Sequence, residues 1–245
     1  MTDYHGHDLQ ALADLPNYQR YIAATFGTAL GGKVLEVGAG IGSFSSTWVP
    51  RATRAVLVEP APHLHARLAV RFATSAHVSA LCATVAQARQ QQPSLFTLAS
   101  FDAVVMVNVL EHIADDVGAL RELAGLLAPG GQLLLFVPAL PFLFGTLDES
   151  VAHVRRYTRT QLVATVTAAG FAPKEVRFLD VLGIVPWLLA GRVFGLRRFD
   201  ARGARLYDRF GVPLTALLEK RWRLPIGKNL LCVCDVDAAA HPAGY

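Results

Sequence analysis

The sequence predicts an α/β protein built on a parallel sheet. From residue 30 onward, short apolar runs alternate with longer stretches of helical periodicity, the rhythm of successive βα units. The first apolar run ends in the glycine-rich turn "EVGAGIGSF", where a strand feeds a helix. A chain of 245 residues is also long enough to bury a substantial core in one domain. Strands are expected at 33–38, 55–60, 78–83, 101–107, 131–137, 174–180 and 229–235, each a short run dominated by aliphatic and aromatic side chains. Helices are expected between them at 43–49, 63–72, 84–91, 115–127 and 159–169, preceded by a leading helix in "LPNYQRYIAATFGTAL". Glycine and proline in "APGGQ" (128–132) and "AAGFAP" (168–173) stop the helices before them.

The region 181–226 breaks this rhythm. It is helical and amphipathic, rich in aromatics and arginine, and it is expected as a helical cap inserted between the last two strands. The remaining chain divides into an N-terminal segment, 1–30, expected to close over the binding site, and a core formed by 31–180 and 227–238. Residues 192–223 carry nine Lys/Arg against three acids, while the whole chain has a net charge of only +4. No nucleic-acid motif accompanies these charges, so no nucleic-acid partner is expected; a solvated face or an anionic surface fits better.

At 53% hydrophobic and 17% charged, the composition is greasy for a globular protein, yet no run of 18 to 20 uninterrupted apolar residues suggests a spanning helix. The N-terminus lacks a basic region followed by an apolar one, so no signal peptide is expected. The three cysteines make neither a disulfide framework nor a metal spacing; buried thiols, no metal and a cytoplasmic location are the expectation, with peripheral membrane contact through 181–226.

Gly38, Gly40 and Gly42 allow a sharp turn and let a ligand approach bare backbone. A dinucleotide fingerprint would place its third glycine one position later, where Ser43 stands. Glu36, two residues before the turn, repels a pyrophosphate and suits an ammonium or sulfonium cation. Glu59 ends the second strand, where an acid accepts both hydroxyls of a ribose. The ligand implied is a nucleoside with a cationic tail.

Four blocks, "VLEVGAGIGSF", "VLVEP", "FDAVVMVNVLEHIADD" and "LLAPGGQLLLFVPA", resemble in order and spacing the class I S-adenosylmethionine-dependent methyltransferases over roughly residues 18 to 175. The resemblance implies a Rossmann-like seven-stranded, mostly parallel sheet with helices on both faces, its last strand antiparallel and inserted beside the fifth. It implies S-adenosyl-L-methionine as cofactor, with S-adenosyl-L-homocysteine as product. Glu36 would then lie near the methionine amino group, the backbone of Gly38, Ala39 and Gly40 would line the cofactor, and Glu59 would take the ribose with Pro60 beside the adenine. Asn108 would face the methionine moiety, and Tyr18 and Val109 complete this set. The acid that often follows the third strand in the family is absent, leaving Ala83 and Thr84, so Thr84 or a backbone carbonyl must hold the adenine amino group.

"VPALPFLFGTLDESVAHVRRYTRTQL" and "PIGKNLLCV" resemble a narrower bacterial subgroup that usually shows Gly-His-x-Arg-Arg-Tyr; here Ala152 replaces the glycine. That likeness implies a small-molecule or lipid-like acceptor. Its "HVRRY" could be an acceptor site or an arginine loop pinned to Asp148 and Glu149. Tyr4, His112, Phe144, Arg156 and Trp187 are the candidate acceptor contacts. His153 is the first candidate general base, His112 the second, and His5 and His7 the third. The expected reaction is methyl transfer to an oxygen, hydroxyl or carboxylate, of a hydrophobic acceptor. Methylation of nitrogen in a small natural product is the runner-up. A cofactor-binding protein or cyclase without methyl transfer, or a nicotinamide-dependent oxidoreductase, are rivals from other classes.

Overall fold

The computed structural model describes residues 15–198 and 200–236. Helix α1 (Pro16–Phe26) leads into β1 (Lys33–Val37), followed by α2 (Ser45–Trp48), β2 (Arg54–Val58), α3 (Pro62–Arg71), β3 (Val78–Leu81), α4 (Val85–Gln91) and β4 (Phe101–Val107). Next come α5 (Asp116–Ala124), β5 (Leu127–Pro138), the short α6 (Thr146–Ser150), α7 (Arg159–Ala168) and β6 (Phe171–Leu179). A helical segment, α8 (Ile184–Leu188), α9 (Ala201–Leu206) and α10 (Val212–Arg221), precedes β7 (Asn229–Val236).

The seven strands form one sheet in the order β3-β2-β1-β4-β5-β7-β6. The first five pair in parallel, whereas β7 runs antiparallel to both β5 and β6. The Rossmann-like seven-stranded arrangement is therefore present, with the last strand beside the fifth. Alternation along the central strands divides their side chains between two cores. Leu35, Val104, Met106 and Leu133 point to one, which α4, α5 and α7 cover with Ala88, Leu120 and Leu162. Val34, Val105, Leu134 and Phe136 point to the other, covered by Ile22 of α1, Trp48 of α2, Leu68 of α3 and Val212 of α10.

Local chemistry sets the element ends. Prolines occupy the first turns of α1 and α3, where the missing N–H costs nothing. Thr84 and Thr158 form reciprocal capping boxes with Gln87 and Gln161 at the starts of α4 and α7. Two expectations need correction. The helix expected to reach 127 ends at Ala124, and β5 begins at Leu127, before the "PGG" turn signal. The early part of β5 joins β4 across an irregularity between Phe101 and Ala103, with Gly130 at φ 79° absorbing the bend. Pro173 lies inside β6 at another register shift; β6 is an edge strand, where a missing N–H is tolerated. Cys232 and Cys234 are buried, as expected, with their sulfurs 3.3 Å apart on one face of β7. Cys82 is exposed instead, because it follows β3 at the sheet's other edge. Among the described residues, no helix is long and apolar enough to cross a membrane.

Candidate active site

The carboxyl ends of β1, β2 and β4 open onto one cavity of about 820 Å³. This is where the strand order reverses and where open α/β sheets hold ligands. Its floor is the turn after β1, where Gly38, Gly40 and Gly42 sit at φ 72°, 57° and 80°, a conformation that side chains oppose. A Cβ on Gly38 would lie 2.5 Å from Val109 Cγ2, so the turn also needs the bare backbone to let Val109 close against it. The N–H groups of Gly38 and Ala39 both donate to the Val58 carbonyl, which ties the turn to β2.

Two carboxylates frame this floor. Glu36 is buried, and Trp48 Nε1 donates to its Oε2 at 3.1 Å. Burial, outweighing that hydrogen bond, pushes its carboxyl up to about 8. An ammonium placed alongside such a carboxyl would restore its ionised form. Glu59 accepts from Gly40 N–H at 2.8 Å and from Ala61 N–H at 2.9 Å. Burial raises its carboxyl too, though those two N–H groups oppose the shift. Glu59 thus secures the turn as well as facing the cavity.

Every residue expected to hold the cofactor, from Tyr18 on α1 to Asn108 and Val109 after β4, lines this one cavity. Asn108 stands at φ 52°, a left-handed conformation that asparagine tolerates better than most residues, and its N–H donates to Phe136 O at 2.8 Å. Thr84 lines the cavity while its hydroxyl caps α4 by accepting from Gln87 N–H.

Of the residues expected at the acceptor, His112, His153, Arg156 and Trp187 line the same cavity. Phe144 does not; the tight turn at Pro141–Leu143 buries Leu143 and leaves Phe144 half-buried outside the lining. Tyr4, His5 and His7 lie outside the described residues.

The acceptor end is organised by Asp148, a fully buried carboxylate at the start of α6. It accepts from His153 Nδ1 at 2.9 Å, Arg156 Nε at 2.8 Å, Gly145 N–H at 3.1 Å and Trp187 Nε1 at 3.3 Å. Burial alone would raise its carboxyl; the His153 hydrogen bond and the Arg156 charge reverse this and hold it below the usual range. The arginine loop of "HVRRY" is therefore pinned to Asp148 and also lines the cavity, so both readings of that motif meet in Arg156. Arg156 also donates to Ala139 O at 2.9 Å and lies over the Trp187 ring at 4.7 Å.

Glu111, His112 and His153 converge from two loops, each offering one ligand atom within 4.8 Å of the others. No spacing along the chain would reveal this donor set. Burial pushes the Glu111 carboxyl up to about 8 and the His112 imidazole down to about 4, so both favour their neutral forms at neutral pH.

The sequence reading gave no role to Lys228 and Asn229, which also line the cavity. Asn229 Nδ2 donates to Tyr18 OH at 2.7 Å, and Lys228 pairs with Asp180 at 2.8 Å while lying over the Tyr18 and Trp187 rings. The signal was present in "PIGKNLLCV", which directs two polar residues to the start of an otherwise apolar strand.

A Rossmann-like sheet with a glycine-rich turn after its first strand, and a buried acid on or just after each of its first two strands, is the architecture of an S-adenosyl-L-methionine-dependent methyltransferase. The family model described as "Methyltransferase domain" matches residues 6–176, and the chain belongs to that family. The ubiquinone biosynthesis O-methyltransferase of Xanthomonas campestris pv. campestris (strain B100) is 34% identical over 179 residues, covering 68% of this chain and 72% of that one. Among solved structures, a chain from the complex of the Trm112 methyltransferase activator and a methyltransferase of Haloferax volcanii aligns with TM-score 0.60 at 18% identity, over 99% of each chain. The Haemonchus contortus phosphoethanolamine N-methyltransferase 2, solved in complex with S-adenosyl-L-methionine, aligns with TM-score 0.56 at 20% identity, covering 90% of this chain and 52% of that one.

Proposed function

We propose that this methyltransferase acts on an oxygen, hydroxyl or carboxylate, of a hydrophobic, lipid-like acceptor, and that His153 is its general base. The observation that carries the reading is the Asp148–His153 pair at the cavity wall. An ionised Asp148 can only accept, so His153 Nδ1 must hold its proton, and Nε2, 3.6 Å from Glu111 Oε1, is the nitrogen with a lone pair to offer. A hydroxyl must lose its proton as it attacks, whereas a neutral amine need not, so a positioned base favours an oxygen acceptor. The name of the Xanthomonas relative points the same way.

S-adenosyl-L-methionine, when bound, supplies an activated methyl on a sulfonium. Glu36 would hold its ammonium, Glu59 its ribose hydroxyls, and the Gly38–Gly40 backbone would let it approach the strand ends. Thr84 and Pro60 would flank the adenine. For a hydroxyl acceptor, His153 would draw the proton to Nε2; a carboxylate acceptor would arrive without one. Pro138, Val109, Ile113 and Trp187 would keep water from the acceptor. Alignment of this sort supplies about 7–11 kcal/mol of the barrier reduction.

Transfer of labelled methyl to a long-chain alkylphenol, a fatty acid and a long-chain alkylamine tests the reading. Turnover of the phenol or the acid is expected, with His153→Ala lowering kcat on the phenol about 100-fold or more and leaving S-adenosylhomocysteine affinity unchanged, while an acid that is already ionised needs no base. Turnover of the amine alone, or an undiminished kcat on the phenol in His153→Ala, would overturn it.

A further inference from the structure

The helical segment between β6 and β7 packs Val212 into the core yet turns many large apolar side chains outward. Among the described residues it holds eleven of the fifteen large apolar side chains most open to solvent. The pattern is clearest where α9, a π turn (Tyr207–Gly211) and α10 run on without a break. The inner face of that helix carries its polar anchors. Asp208 is buried and accepts the backbone N–H groups of Asn17 and Tyr18 at 3.2 and 2.8 Å. Glu219 accepts from Tyr21 OH and from Val181 N–H, while Thr215 is fully buried. The outer face carries Leu206, Phe210, Leu214 and Leu217 at 62, 60, 49 and 66% exposure.

A surface helix ordinarily turns its apolar face inward. This one cannot roll over to do so, because Asp208 and Glu219 hold it against α1. Four large apolar side chains at spacings of four, four and three residues therefore form a stripe that faces away from the protein. Arg202, Arg205 and Arg209 are exposed on the same helix, Arg192, Arg197 and Arg198 are exposed just before it, and Lys220, Arg221 and Arg223 follow. An outward apolar stripe among arginines is the chemistry of a helix lying in the headgroup region of an anionic bilayer. The family match ends at residue 176, before this segment begins.

We propose that residues 201–221 dock the enzyme on an anionic lipid bilayer, with Leu206, Phe210, Leu214 and Leu217 entering the interface and the arginines contacting headgroups. The surface is joined to the active site, because Asp208 and Glu219 fasten it to the helix that carries Tyr18. A bilayer occupant suits the excess of positive charge better than a second copy of the chain, which would set arginines against arginines. The inference is independent of which acceptor atom is methylated.

Sedimentation of the full chain with phosphatidylcholine vesicles, with and without phosphatidylglycerol, is the test. Binding is expected only with phosphatidylglycerol, fading as salt is raised. The variant L206S/F210S/L214S/L217S should bind at least tenfold more weakly, as should R202E/R205E/R209E, which alters only exposed charges and keeps the test valid should the first variant fold poorly. Calorimetry with S-adenosylhomocysteine should give wild-type affinity for both. Absence of vesicle binding, equal binding to phosphatidylcholine alone, or full binding by the charge variant would overturn the proposal. So would a dimer in light scattering that the serine variant converts to monomer, since a second copy would then own the face.

Discussion

The two ends of the cavity solve one backbone problem in opposite ways. At the cofactor end, the turn after β1 places glycine at all three of its left-handed positions, Gly38, Gly40 and Gly42. Around the acceptor end, Ala152 in the lining and Leu140 and Asp180 behind it hold the same conformation at φ 59°, 60° and 63° with side chains attached, as only Asn108 does at the cofactor end among the described residues. Local preference favours the first turn, while the second must be held from outside. The external hold is visible: Asp148 gathers four donors, Leu140 N–H bonds to Tyr157 O, and Asp180 pairs with Lys228 and accepts the Tyr207 hydroxyl. A backbone kept in a sparsely populated region by surrounding contacts is a frequent property of binding sites.

Removing the main external hold gives the largest expected effect. Asp148→Ala leaves Arg156 buried without its carboxylate, so unfolding in denaturant should show a loss of about 3–5 kcal/mol. A loss below about 1 kcal/mol would mean that the acceptor end is held by its own local preferences after all. At the cofactor end, Glu59→Ala should weaken S-adenosylhomocysteine binding by about 1.5–3 kcal/mol, the scale of hydrogen bonds to a charged group. It should also slightly destabilise the free protein, because Gly40 and Ala61 lose their acceptor.

The contrast is sharpened by a reciprocal pair. Gly38→Ala adds a Cβ at positive φ and against Val109, and should cost about 1–2 kcal/mol or more of stability, with Val109→Ala restoring part of it. Ala152→Gly should do the reverse, relieving the left-handed strain at the price of a looser unfolded chain, for a net gain of up to about 1 kcal/mol. Equal signs for the two substitutions would break the comparison.

The smallest effect is a proton. Glu36 in the free protein titrates near 8, above its unfolded value of 4.5, so its contribution to stability is present below 4.5 and is lost as pH rises through 8. A bound ammonium favours the ionised form, so binding should release a proton between about pH 5 and 8 and tighten as pH rises through that window. Calorimetry at pH 7 in buffers of different ionisation enthalpy reads that release. It should shrink in Glu36→Gln, and an unchanged release would assign the proton to another group.

This contrast also explains what was legible in the sequence. Glycines and single acids at strand ends announce themselves by position in a local pattern, so Glu36 and Glu59 could be singled out directly, whereas the seven-stranded sheet with its last strand beside the fifth followed from the family resemblance. Asp148 could be guessed only as one of two nearby carboxylates, because its donors come from a loop, a helix start and α8. Lys228 and Asn229 show in the sequence only as two polar residues before an apolar strand, because their partners, Asp180 and Tyr18, are brought to them by the completed sheet. Ala152 was noticed as a departure from the subgroup pattern, but its meaning as strain required a φ angle.

The carboxylate of Asp208 on the backbone of Asn17 and Tyr18 bears on the order of synthesis. Helix α1 emerges from the ribosome before the other described elements, yet the group that satisfies its leading N–H groups lies 190 residues later, and the amide that holds the Tyr18 hydroxyl 211 residues later. Until those residues are made, α1 is held to the early strands by its apolar side chains alone. The nascent chain can therefore assemble its sheet as far as β5 before the polar ties of this helix form, and the wall that α1 supplies is completed only with the last strand.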